Sequence, residues 1–278
     1  MRRKAGTVRQ LITAMGAASL LTAASVQAQP TVTFGGIELQ VNATPNVSGN
    51  PTLEGSALRM SNGEYGAARS AISTATYNLL NANWFTSYTT RFSCQGVGNA
   101  DGYDEPICTG DGIGFVVTGG SASQIGGGGQ DMGYAGSFEN SLAFAFQTFW
   151  RELLLGQNGS LTQVTDKPFG DVNENYQGLF NVSLSYDAAN QSLASTITNG
   201  ITTISQTHNG IMLGDWSEEA RIGFTASSGL ASEYSWVSDW TFEYTPPSTT
   251  VPEPSTWTLM LIGLFSIGLL ARRRHWAA

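Results

Sequence analysis

Gly110-Asp111-Gly112-Ile113-Gly114-Phe115-Val116-Val117 is the stretch on which the fold of this chain turns. It opens on an acid held between two glycines, the chemistry of a tight turn, and runs straight into apolar, β-branched and aromatic residues. A helix is a poor alternative, because each interior glycine costs it about 1 kcal/mol relative to alanine. The reading is a turn followed by a strand. Working outward, the same grammar repeats at 36–41, 56–61, 83–93, 142–149, 179–186, 192–198, 221–226 and 237–244, in short apolar or alternating runs bounded by Gly, Asn, Asp and Ser. Helical periodicity is hard to find between them. Many short strands with turn residues every roughly 8–12 positions predict an all-β, single-domain chain folded as a β-sandwich or jelly roll.

The two ends follow other rules. Arg2, Arg3, Lys4 and Arg9 precede a small-residue apolar stretch over 11–24, and Val26-Gln27-Ala28 supplies a small-x-small cleavage site. Residues 1–28 are therefore expected to be a secretory signal peptide. At the other end Val251-Pro252-Glu253-Pro254-Ser255 leads into an apolar run over 257–271 and then Arg272-Arg273-Arg274. The prolines hold the junction extended. The run is short of the roughly 20 residues that span a membrane, and the arginines fix its orientation. This arrangement closely resembles the PEP-CTERM sorting signal of exopolysaccharide-producing Gram-negative bacteria. The resemblance implies an exosortase-type enzyme acting at Pro252, Glu253 and Pro254, with transient membrane anchoring by the C-terminal segment. It implies a place in the periplasm, on the outer surface or in the extracellular matrix. Three parts are expected: residues 1–28, a sandwich over 29–245, and a linker with the sorting segment over 246–278.

Of the 13 Lys and Arg, four sit in the leader and three in the tail, leaving six; of the 21 Asp and Glu only Glu253 lies in the tail, leaving 20. An exported core this acidic excludes nucleic acid and anionic surfaces as electrostatic partners. Cys94 and Cys108 bracket a polar loop that holds Asp101, Asp104 and Glu105. In an oxidising compartment they are expected to pair, and closing a loop of this size contributes about 3 kcal/mol in the chain-entropy model.

Three segments, in order, resemble the legume-type (L-type) lectin family. The opening stretch is similar to that family's Asp-Gly-x-x-Phe strand entry. Gly126-Gly127-Gly128-Gly129-Gln130-Asp131, continuing to Asn140-Ser141-Leu142-Ala143, is similar to its glycine loop and following strand. Ile222-Gly223-Phe224-Thr225-Ala226-Ser227-Ser228-Gly229 and Trp240-Thr241-Phe242 are similar to its closing pattern. The resemblance implies a concanavalin-like jelly-roll sandwich that binds a glycan or exopolysaccharide, and a possible homodimer through flat sheets. It implies a site in which Asp111, on an exposed loop, accepts hydrogen bonds from sugar hydroxyls. Gly128 and Gly129 would let backbone approach the sugar, and Ala231 and Ser232, in the loop Leu230-Ala231-Ser232-Glu233, would complete the pocket. Tyr103, Trp150 and Trp236 are candidates for its apolar wall.

One strand departs from the family. Where that family has Val-Glu-Phe-Asp-Thr-Trp, with two carboxylates that hold a transition metal and calcium, this chain has Phe144-Ala145-Phe146-Gln147-Thr148-Phe149. Alanine cannot ligate, and an amide carbonyl is a poor replacement for a carboxylate at calcium. Arg151 and Leu155 stand where Asn and Asp would follow, and the family's metal-binding His is absent. No metal and no cofactor are expected. Asp166, Asp171, Asn173 and Glu174 read as a solvated acidic loop. Catalysis finds little support either: His208 is the one His of the exported core, and the adjacent Glu218 and Glu219 would point to opposite faces of a strand. The expected function is non-enzymatic carbohydrate binding in the envelope or exopolysaccharide matrix. The alternative is a structural or adhesion protein that keeps the sandwich without a specific sugar site.

Overall fold

The computed structural model describes residues 30–45, 47–93, 110–171, 176–231 and 233–246. Fifteen strands among them form two antiparallel sheets: β1 (Thr31–Phe34), β2 (Ile37–Ala43), β3 (Thr52–Glu54), β4 (Ala57–Asn62), β5 (Ala68–Ser73), β6 (Asn83–Ser93), β7 (Gly112–Thr118), β8 (Ser141–Gln147), β9 (Glu152–Gln157), β10 (Ser160–Asp166), β11 (Gly178–Asp187), β12 (Ser192–Thr198), β13 (Thr203–Asn209), β14 (Arg221–Ser227) and β15 (Tyr234–Thr245). The eight-stranded sheet runs β1-β2-β5-β14-β7-β8-β9-β10 and the seven-stranded sheet β13-β12-β11-β6-β15-β4-β3. Seven of the fourteen connections between these strands cross from one sheet to the other, and the rest are hairpins within a sheet. The nine stretches read from sequence all fall on strands.

Alternation builds the seven-stranded sheet. In β6 the inward set is Trp84, Thr86, Tyr88, Thr90 and Phe92; in β11 it is Phe180, Val182, Leu184 and Tyr186. A period of two sends these side chains to one face, opposite a second apolar face. That second face is Ile113, Phe115 and Val117 of β7, Leu142, Phe144 and Phe146 of β8, and Ile222 and Phe224 of β14. Aromatic rings close the core: Phe224 meets Trp240 at 4.9 Å and Tyr88 at 5.1 Å between centroids, in edge-on geometry.

The middle of the eight-stranded sheet is buried on both faces, and β5, β7 and β8 have no exposed position. The segment 119–140 lies over its outer face, where Tyr134 and Phe138 pack on Ile72, Val116 and Ala143, and Met132 packs on Ala145 and Leu154. Small residues make room for that backbone. A Cβ on Gly133 would come within 2.7 Å of the Ala226 carbonyl oxygen.

Candidate functional site

Asp111 sits in the turn that opens β7. Gly112 has φ +116°, and a Cβ there would come 2.0 Å from the Phe146 carbonyl oxygen, so only glycine makes this turn. The turn is fixed to the end of β8: Thr148 N–H donates to the Asp111 carbonyl at 3.2 Å, and its hydroxyl bonds the Gly110 carbonyl.

The glycine segment arrives from the other side. A short 3-10 turn spans Gly129–Asp131. Gly129 N–H donates to the Ser228 carbonyl at 3.2 Å, and Ser227 Oγ donates to the Gly129 carbonyl at 2.6 Å. A Cβ on Gly229 would lie 3.0 Å from Asp111 Oδ2 and 3.1 Å from Gly129 Cα. Asp111, Gly129 and Gly229 therefore meet at one end of the sheet, with Gly128 beside Ser228; Ala231, two residues past Gly229, is buried. Ser232 lies outside the described residues, as do Tyr103, Asn173, Glu174, Cys94 and Cys108, and the sorting residues Pro252, Glu253 and Pro254.

Exposure is the first correction to the sequence reading. Asp111 is only 5% exposed, and its Oδ2 has no hydrogen-bond partner among the described residues. Burial raises its carboxyl to about 6, against the pull of the Gly229 N–H and its own. Around it stand the Gly229 backbone, the Thr148 turn and the buried Glu233. The second finding is a partner. Glu233 is 1% exposed and its Oε2 is also unpartnered. Burial, with the Asp111 charge adding to it, lifts its carboxyl well above the ordinary range. Its Oε1 lies 2.8 Å from Thr148 Oγ1, the same hydroxyl that bonds the Gly110 carbonyl. One hydroxyl proton cannot serve both acceptors, so a neutral Glu233 completes this chain of bonds. Sequence reasoning placed Glu233 only in the loop; its burial depends on contacts 85 residues apart.

Beside this pair lies an open groove of about 420 Å³. Gln130 and Asp131 form one wall, Gln147, Glu152 and Gln163 rise from the sheet, and Leu154 and Leu161 form the floor. Trp150 stands at its edge, 53% exposed. Gln147 faces Gly112 across the β7–β8 ladder and donates Nε2 to the Gln130 carbonyl at 3.5 Å, so the groove begins one residue from both Asp111 and Gly129. Of the three candidate aromatic walls Trp150 lies here. Trp236 is on the other sheet, bonded to Glu54 at 2.8 Å and covered by Arg91.

A dual-metal centre does not fit these residues. Ala145 packs against Met132 and Leu154, Leu155 belongs to the main core, and Arg151 donates to the Asp171 carbonyl. Among the described residues no three His, Cys, Asp or Glu side chains are placed to share an ion. Elsewhere Asp171 pairs with Lys167 at 2.5 Å, His208 meets Ser195 at 3.4 Å, and Glu218 and Glu219 lie in a 3-10 turn over Asp215–Glu219, not on a strand. Glu152 and Gln163 escaped the sequence reading because β9 and β10 were not recognised as strands; Asp131 was read only as part of the glycine loop.

Residues 250–274 match the model of the PEP-CTERM protein-sorting motif, so the chain carries an export and cell-surface sorting signal near its C-terminus. No curated protein matches the sequence. Solved structures match the fold. Lectin I-B4 from Griffonia simplicifolia aligns at TM-score 0.58 with 17% identity, over 74% of this chain and 93% of that one. Arcelin-5, a lectin-like defense protein from Phaseolus vulgaris, aligns at 0.58 with 14% identity over 74% and 93%. Winged bean acidic lectin, solved with methyl-α-D-galactose, aligns at 0.58 with 18% identity over 74% and 92%. The fold is that of a legume-lectin jelly-roll sandwich.

Proposed function

We propose that this exported lectin-like protein binds carbohydrate without catalysing a reaction, and that it holds its glycan in the groove beside Asp111. One observation carries the reading: a half-exposed tryptophan ring stands over a groove lined by amides and carboxylates, next to the meeting point of Asp111 and Gly129. A sugar presents an apolar ring face and a set of hydroxyls. Trp150 offers the stacking surface, and Gln130, Gln147 and Gln163 offer both donors and acceptors. A hydroxyl that reaches Asp111 Oδ2 would satisfy an acceptor that has no partner among the described residues, with Gly129 and Gly229 beside it. The matrix or envelope glycan is the partner that the sorting signal makes available, and an exosortase-type enzyme would process Pro252–Glu253–Pro254. Binding needs no metal in this reading, because Ala145 and Gln147 replace the ligating pair. The structural or adhesion reading has its own support in the burial of Asp111 and Glu233, which keeps both carboxylates from solvent. A glycan array probed with the full chain and its Trp150→Ala variant, with and without calcium, separates the two. Carbohydrate binding requires signals that Trp150→Ala removes and calcium leaves alone; an array blank for both proteins leaves the structural reading.

A further inference from the structure

We propose that the groove selects amino sugars, taking the free ammonium group of a deacetylated glycan between Asp131 and Glu152 with the ring against Trp150. The inference rests on the carbohydrate-binding reading and adds the ligand's charge to it. Two carboxylates line the groove and no Lys, Arg or His does. Neither carboxylate makes a side-chain hydrogen bond or ion pair among the described residues.

Glu152 stands directly opposite Asp166 across the β9–β10 ladder. Like charges in directly opposed positions destabilise a sheet, and a sequence carries such a pair at a cost. The nearby cations are engaged first by Asp171: Lys167 is bonded to its carboxylate, with Asp166 a weaker attraction, and an Arg151 amine donates to its carbonyl. Glu152 is half-buried, and its carboxyl is raised first by burial and then by Asp166. A cation in the groove would remove that repulsion.

A neutral group aims into the same space. Gln147 is 2% exposed and lines the groove; its Nε2 donates to the Gln130 carbonyl, so Oε1 is the end of the amide left to accept. An ammonium group has three protons to donate and accepts none. Asp131, Glu152 and Gln147 Oε1 are three acceptors for it, and the Trp150 face is a fourth attractive surface for a cation. The acidity of the exported core draws such a ligand from a distance.

The test compares glucosamine and N-acetylglucosamine oligomers of equal length, titrated into the detergent-solubilised full chain at pH 6 and low salt. The deacetylated oligomer is expected to bind at least tenfold tighter. Raising the salt to 0.5 M should narrow that gap, and Asp131→Asn with Glu152→Gln should close it without abolishing the weaker binding. Equal or tighter binding of the acetylated oligomer, lost in Trp150→Ala, overturns the charge selection and leaves the groove as a neutral sugar site. Binding of neither oligomer, or binding insensitive to Trp150→Ala, removes the groove as the glycan site and this inference with it. Binding that requires calcium assigns the carboxylates to an ion and also overturns it. The comparison of the two oligomers on the unaltered chain stands even if a variant fails to fold.

Discussion

The two faces of the eight-stranded sheet are made by the same strands and obey opposite rules. On the inner face β7, β8 and β14 present Phe115, Phe144, Phe146 and Phe224, large rings packed against the other sheet. On the outer face the alternate positions are mostly small, Gly114, Ala143, Ala145, Gly223 and Thr225 with Val116 the larger one, and Ala143 and Ala145 lie under Tyr134, Phe138 and Met132 of the segment 119–140. Polar atoms divide the same way. The unpartnered buried oxygens of Asp111, Thr225 and Glu233 belong to the outer side or its end, and the inner side of these strands has none. The inner face holds the domain together, and the outer face stores the unsatisfied chemistry from which a binding site is made.

Substitutions can break this division, and the inner face should give the largest effect. Phe224→Ala leaves a cavity among Phe34, Tyr88, Phe115 and Trp240. It should cost about 3–5 kcal/mol, measured by urea unfolding. Reduction of the expected Cys94–Cys108 bridge comes next, with a loss of about 3 kcal/mol in the chain-entropy model. Peptide mapping of the exported protein with both thiols free would remove the bridge.

The outer face should respond in the opposite sense. Asp111 titrates near 6 in the fold against 3.8 when unperturbed, so its neutral form is the one the fold favours. Its contribution to stability is complete below pH 3.8 and is lost as the pH rises through 6, and Glu233 acts in the same direction. Asp111→Asn should therefore raise stability at pH 7.5 by on the order of 2 kcal/mol and flatten the stability profile between pH 4 and 7. A variant less stable than the parent at pH 7.5 would mean that the buried carboxylate has a cation partner.

Smaller still, Trp150→Ala should change stability by less than about 0.5 kcal/mol, since half the ring is in water. Glycan affinity should fall at least tenfold in the same variant. Ending the chain at Thr245, or adding EDTA, should leave the melting temperature unchanged. A drop on truncation would show that the tail docks on the sandwich, and a drop with EDTA would reveal a stabilising ion.

How far the sequence was legible follows from the same division. Strands with one wet face, such as β6 and β11, alternate and are readable. β5, Ala68-Arg69-Ser70-Ala71-Ile72-Ser73, is buried on both faces and mixes small residues with an arginine paired to Glu64, so no period marks it. β13, Thr203-Ile204-Ser205-Gln206-Thr207-His208-Asn209, is a polar edge strand, and polarity hid it. The nearness of Asp111 to Gly129 could be anticipated from motif order. The burial of Asp111 with Glu233 could not, because it depends on contacts far apart in the chain, such as Thr148 with Glu233.

The place of β15 bears on what tethering does to this protein. The strand from which the chain leaves towards the sorting motif is not at an edge: it lies between β6 and β4, bonded on both sides. Tension drawn through the tail enters the sandwich at Thr245 and loads the β6 ladder in shear first, with the β4 ladder over Tyr234–Val237 behind it. Many backbone bonds must then yield together, whereas an edge strand can be peeled one bond at a time. While its tail is held, a pull on the chain meets the β15–β6 ladder in the middle of a sheet and not at its edge.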